Sequence, residues 1–163
     1  MKRCFLTAAA LLLCAFTSAF AGELIGRVVG VYDGDTLTLV TGGREQYKIR
    51  LAGIDAPERR QPFGQQSKSR LLKLAYNRIV RVTWNKRDRD GRIVGKVYLN
   101  DVDVSLEMVV SGMAWHYKRY EIEQPIADRK KYALAEDRAR SARSGLWREL
   151  KPVPPWEYRR GVR

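Results

Sequence analysis

Cysteine is almost missing from this 163-residue chain, and both copies, Cys4 and Cys14, stand at its very start. Their surroundings read as an export leader: Lys2 and Arg3 form a charged opening, an apolar run follows to Phe16, and Ala19-Phe20-Ala21 is a small-residue cleavage signal. The run is short for a membrane span, and Leu13 is bulky where lipidation at Cys14 would want a small residue. Cleavage after Ala21 is expected, which leaves a mature chain with no thiol. Disulfides, a cysteine nucleophile and thiolate-held zinc are thereby excluded, and an exported fold must be held by its core alone. Histidine is equally scarce. His116 stands alone, so mechanisms built on a histidine pair fall away, and a structural role is expected for it. No glycine-rich phosphate loop of the P-loop kind occurs either.

Charge is what the chain has in plenty. Lys and Arg number 31 against 18 Asp and Glu, a formal net charge of +13, of which the leader contributes two. Such an excess favours a polyanion as partner: nucleic acid, an anionic membrane surface or an acidic polysaccharide. Solubility alone is the plainer reading of the same charge. No internal repeat is visible, and residues 22–150 suit one domain with a sizeable core. The Pro- and Arg-rich tail, 151–163, is expected to be flexible from Arg159 onward and to add nonspecific phosphate affinity, with Trp156 packing on the body.

Hydrophobic patterning predicts strands over 24–32, 36–40 and 46–52, a helix over 65–76, and strands over 79–84 and 93–99. In the third strand Tyr47, Ile49 and Leu51 point one way and Lys48 and Arg50 the other; in the fourth, Val80, Val82 and Trp84 face inward. Asp103 can cap a helix running to Ser111, with Val104, Met108 and Val109 inward and Gly112 at its end. Pro125 opens a third helix, with Tyr132, Ala135, Ala139 and Ala142 at helical spacing and Gly145 closing it. This order suggests an α+β, mainly β architecture: a five-stranded OB-type barrel (three strands, helix, two strands, two helices) with a three-helix cap. A mixed sheet without closure is the alternative.

Two acidic turns stand out against the basic background. Asp33-Gly34-Asp35-Thr36 reads as a turn in which Gly34 tolerates φ > 0 and aspartates bond their own backbone. Ala56, preceding Pro57, is pushed toward extended backbone, so helix is not expected between Asp55 and Glu58. Clustered carboxylates repel one another, and either a hard cation sits among them or their pKa values split. With Arg50 nearby, the set can hold a cation through oxygen ligands, activate water through a glutamate, and neutralise phosphate through a guanidinium fork.

These residues carry a resemblance. Val31-Tyr32-Asp33-Gly34-Asp35-Thr36, Ile49-Arg50-Leu51 through Asp55-Ala56-Pro57-Glu58, and Asp88-Arg89-Asp90-Gly91-Arg92 resemble, in order and approximate spacing, three signature blocks of the staphylococcal (micrococcal) nuclease family. Gly112-Met113-Ala114 and Gly145-Leu146-Trp147 fit as well, so the likeness covers essentially the whole mature chain. It implies an OB barrel with three helices and Ca²⁺-dependent hydrolysis of DNA and RNA to 3′-phosphate and 5′-hydroxyl ends. It further implies that Asp35 and Asp55 ligate Ca²⁺ by side chain and Ala56 by its carbonyl. Glu58 would act as general base or position the water, Arg50 and Arg92 would bind the scissile phosphate, and Asp33 would support them. Two departures stand out: Ala56 replaces a threonine, and the loop after Glu58 is shorter. The tyrosines that pack on the nucleotide lack secure equivalents, with Tyr117 and Tyr120 as candidates by location.

The expectation is therefore an exported nuclease, periplasmic or secreted, acting as a monomer on DNA and RNA, preferably single strands, with no membrane span and no stable protein partner. The alternative is a non-catalytic OB module that binds single strands. A basic adhesion protein would explain the charge and leave the carboxylates unexplained.

Overall fold

Small and β-branched residues from Gly22 onward can follow a sharply coiled barrel wall, and the chain uses them that way. In the computed structural model, which describes residues 22–161, five strands form the barrel: β1 (Gly22–Val31), β2 (Thr36–Thr41), β3 (Gln46–Leu51), β4 (Ile79–Arg87) and β5 (Ile93–Leu99). Residues 1–21, expected to be an export leader, and the last two residues lie outside the described residues. β1 pairs antiparallel with β2 on one side and β4 on the other, β2 with β3, and β4 with β5. The parallel pairing of β3 with β5, Ile49 to Ile93 and Arg50 to Val94, closes the barrel and removes the open-sheet alternative. A bulge between Val28 and Gly30 bends β1 over β2. At Gly26 a Cβ would stand 2.4 Å from the Val40 carbonyl oxygen, so only glycine lets the two strands approach there.

Val28, Leu37, Leu39, Ile49, Val82 and Val97 fill the interior. Trp84, expected inside, is only half-buried and packs from the rim. Helices α1 (Gly64–Ala75), α2 (Val104–Val110) and α3 (Ile126–Ser141) cover the barrel. The Asp103 carboxylate accepts from the Leu106 amide at 3.2 Å and caps α2, and Gly112 takes φ +63° beyond its end. Tyr132, Ala135 and Ala139 are the buried stripe of α3, whereas Ala142 is exposed. No helix among the described residues is long and apolar enough to cross a membrane.

Two further features set up the site. A two-residue ladder pairs Ile54–Asp55 with Trp115–His116, tying the segment after β3 to the aromatic segment after α2. His116 is buried in that ladder; its Nε2 meets the Gln124 side-chain oxygen at 2.9 Å and its amide donates to Glu136, so it serves the fold. The second feature is a short helix, α4 (Pro155–Gly161), formed by the tail expected to be flexible only from Arg159 onward.

Candidate active site

The β1–β2 turn and the end of β3 are neighbours because Thr36 pairs with Arg50 across the β2–β3 ladder. In the turn, the Asp33 carboxylate accepts from the Asp35 amide at 3.0 Å, as the Asp-Gly-Asp sequence suggests. Gly34 does not use the positive φ that a glycine tolerates. Its reason is space: a Cβ there would lie 1.8 Å from the Ser67 hydroxyl and 2.7 Å from the Ala56 Cβ. Ser67 is pinned, donating to the Met113 carbonyl at 2.6 Å. Gly34→Ala is therefore expected to cost about 1–3 kcal/mol, as overpacking does; a thermal melt superimposable on the parent's would remove this account.

Five sequence-expected positions converge. The Ala56 amide donates to Asp35 Oδ2 at 2.8 Å, which locks the two acidic turns together. Arg50 spans them: Nη1 reaches Asp35 Oδ2 at 2.9 Å, Nη2 reaches Asp55 Oδ1 at 3.0 Å, and Nη1 also donates to the Leu51 carbonyl at 3.2 Å. Three of the guanidinium's five N–H donors are used, leaving two for a ligand. Asp55 is 1 % exposed and Asp35 5 %. Glu58 is half-exposed at the mouth, and Gln61 fixes its backbone from both sides, accepting from the Glu58 amide at 3.0 Å and donating to its carbonyl at 2.8 Å.

Arg92 lines the same cleft but pairs with none of Asp35, Asp55 and Glu58; its Nε donates to Asp88 at 2.8 Å and its Nη2 lies 3.5 Å from Asp90. That guanidinium and two backbone amides, of Asp90 and Arg92, bond Asp88, and its carboxyl pKa is lowered although partial burial opposes the shift. Tyr117 and Tyr120 also face the cleft, packed edge-to-face at 5.1 Å. The whole groove encloses about 860 Å³, with Lys86, Arg89, Arg119 and Arg160 along its walls.

Sequence reading missed one participant. Arg159 of α4 enters the cluster, with Nη2 at 2.8 Å from Asp55 Oδ2 and Nη1 at 2.6 Å from Glu58 Oε1. The Pro155-Trp156 start could have signalled a helix, but nothing local signals where its arginine lands.

Burial pushes the Asp55 carboxyl up from its ordinary value, with Arg159 and Arg50 partly offsetting it. Asp33 is raised to about 6, by burial first and the neighbouring Asp35 charge second. This crowding of negative charge is what a cation relieves. Among the described residues no three His, Cys, Asp or Glu side chains gather closely enough to enclose a metal alone. Asp35 and Asp55 offer two carboxylates, which carbonyl, water and phosphate oxygens can complete, and that all-oxygen set fits a hard divalent cation. The Asp33 shift has a testable sign. At about pH 2.5 the carboxyl is protonated both folded and unfolded, so Asp33→Asn should be neutral there. Above about pH 6 the folded state carries an unfavourable charge that Asn lacks, so in EGTA the variant should melt higher than the parent at pH 7.5. Equal melting differences at the two pH values would reject this.

Known proteins align with this arrangement. The family described as staphylococcal nuclease homologue matches residues 48–149. The chain is 39 % identical over 159 residues to a protein of Haemophilus influenzae named an uncharacterized endonuclease, covering 98 % of this chain and 86 % of that one. A protein of the same name from Escherichia coli is 40 % identical over 138 residues, covering 84 % and 86 % of the two chains. A probable staphylococcal-like nuclease of rice is 41 % identical over 119 residues, 73 % of this chain and 34 % of the rice protein.

Proposed function

This chain belongs to the staphylococcal nuclease family, and on that premise we propose that it is an exported, Ca²⁺-dependent endonuclease that cleaves DNA and RNA phosphodiesters to 3′-phosphate and 5′-hydroxyl ends. The observation that carries the reading is the Arg50 fork holding two buried aspartates in a cleft shared with Glu58, whose walls carry Lys86, Arg89, Arg119 and Arg160.

In this reading Asp35 and Asp55 hold the cation by side chain and Ala56 by its carbonyl. Bound there, Ca²⁺ supplies positive charge against the scissile phosphate, a Lewis-acid contribution. The protein does the rest. Arg50, with two N–H donors uncommitted, fixes one face of the phosphate and meets the charge that grows on its oxygens. Arg92 turns from Asp88 to a second phosphate oxygen. Glu58 takes the proton of the attacking water, or holds that water in line. Asp33 buttresses Asp35 through the turn. Tyr120, on the cleft wall and 45 % exposed, offers a ring face to unpaired bases, which supports a preference for single strands. The chain works as a monomer in the periplasm or outside the cell.

The test is digestion of end-labelled single-stranded DNA by residues 22–163 in Ca²⁺ and in EGTA, with the product ends analysed. Cleavage only in Ca²⁺, leaving ends that accept a 5′ phosphate and block 3′ extension, is expected. Tight binding without cleavage under any metal would instead identify a single-strand-binding module.

A further inference from the structure

Helix α4 lies beyond the family-matched residues 48–149, yet it is fastened to the site. The Trp156 ring stacks on Tyr117 at 5.3 Å and meets Trp115 edge-on at 5.6 Å. Just ahead of the helix, the buried Gln61 side chain donates to the Val153 carbonyl at 2.6 Å, and Tyr158 bonds the Arg60 carbonyl at 3.3 Å. Gln61 is the residue that also fixes the Glu58 backbone. Helix position and glutamate position are thus set by one side chain.

Held this way, Arg159 engages both carboxylates it faces. Its Nη2 takes Asp55 Oδ2 at 2.8 Å and its Nη1 lies 3.3 Å from Asp55 Oδ1, the oxygen that Arg50 already bonds. Both Asp55 oxygens therefore carry guanidinium donors, and the same Nη1 occupies Glu58 Oε1 at 2.6 Å. A divalent cation bound to those oxygens would sit roughly 2.3–2.6 Å away, in the space and field of the guanidinium. With Arg50 already on Asp55, a second guanidinium there opposes a divalent cation by charge and by occupying the remaining oxygen. Arg159 is also the partner able to leave: its side chain is 43 % exposed, against 15 % for Arg50.

We propose that Arg159 is a built-in competitor of the divalent cation, an autoinhibitory guanidinium that takes the Asp55 and Glu58 oxygens and must withdraw before the cation can bind. The proposal rests on the Ca²⁺ reading above. Neither the metal ligand nor the glutamate is free while Arg159 is seated, so a single exchange switches both.

The test is calorimetric titration of Ca²⁺ into the full mature chain, without nucleic acid, for the parent, Arg159→Ala and Arg160→Ala. Arg160, one residue on, also lines the cleft and makes no ion pair among the described residues, so it controls for loss of one positive charge. Arg159→Ala is expected to bind Ca²⁺ about tenfold more tightly, the effect of removing one partly exposed partner of a buried carboxylate, and Arg160→Ala within about twofold of the parent. Arg159→Gln should follow Arg159→Ala, and matching circular dichroism will establish that all are folded. Ca²⁺ should also change tryptophan fluorescence in the parent, because Trp156 rides on the same helix. Equal Ca²⁺ affinity in the parent and Arg159→Ala would overturn the competition and leave the Ca²⁺ reading standing. An equal gain in Arg160→Ala would overturn it as a general charge effect. Absence of Ca²⁺ binding in every variant would overturn both.

Discussion

Glu58→Gln is expected to lower kcat on single-stranded DNA by at least about 10²-fold while leaving substrate affinity within about twofold. The substitution keeps length, planarity and one acceptor oxygen, and removes only the ability to take a proton and the negative charge. Its backbone should stay in place, because Gln61 holds it through the amide and the carbonyl rather than through the side chain. Stability should change little, within about 0.5 kcal/mol, since the side chain is 37 % exposed. Initial rates at saturating substrate measure the first effect, and binding in EGTA the second. The Arg159 bond to Glu58 sharpens the reading, for Gln weakens that latch too. A base or water-positioning role predicts loss of rate despite the looser latch. A variant retaining a fifth or more of parental kcat would show that Glu58 performs neither task.

Much of this site is readable along the chain because its parts are local. The Asp33–Asp35 turn, the extended Asp55–Glu58 segment and the polar side of β3 each follow from two to six adjacent residues, and they meet because consecutive antiparallel strands bring their ends together. What the sequence hides is long-range. The parallel closure between Arg50 and Val94 has no local signal, and neither has the Ile54–Asp55 ladder with Trp115–His116. Gly34 shows the same limit in small. A glycine in an acidic turn suggests backbone freedom, whereas the need arises from Ser67, 33 positions away on α1. The tail is the largest miss. Pro and Arg leave the end from Arg159 reading as loose chain, but Trp156 stacking on Tyr117, together with the Gln61–Val153 and Tyr158–Arg60 bonds, turns a solvated arginine into a partner of two buried or half-buried carboxylates. Trp156 packing on the body is borne out; flexibility from Arg159 to Gly161 is not, because those residues complete α4. Arg159, read as a phosphate-seeking charge, is bound to carboxylates instead.

Arg50→Ala should be the most damaging single change, for it removes a brace and a phosphate donor together. Asp35 and Asp55 would be left almost wholly buried, with Asp35 losing its guanidinium partner and Asp55 keeping only Arg159. Breaking a buried pair from one side costs about 3–5 kcal/mol, because a charge stays behind without its partner. The loss should depend on pH in a defined direction. Arg50 is one of the groups that hold the Asp55 carboxyl down against burial, so its removal raises that carboxyl further. An acid whose folded pKa is raised costs stability above that pKa and nothing once protonated in both states, so the deficit should shrink as pH falls from 7.5 toward 4.5. Urea melts in EGTA at the two pH values measure it, and an unchanged deficit would reject the charge explanation in favour of lost packing. Arg50→Lys separates the two duties. A single ammonium cannot span Asp35 and Asp55 as the fork does, yet it preserves one positive charge against them. About half or more of the stability should return, while kcat should remain lower by about 10²-fold, since the planar pair of donors facing the phosphate is still missing. Recovery of activity in step with stability would mean that Arg50 serves the fold alone.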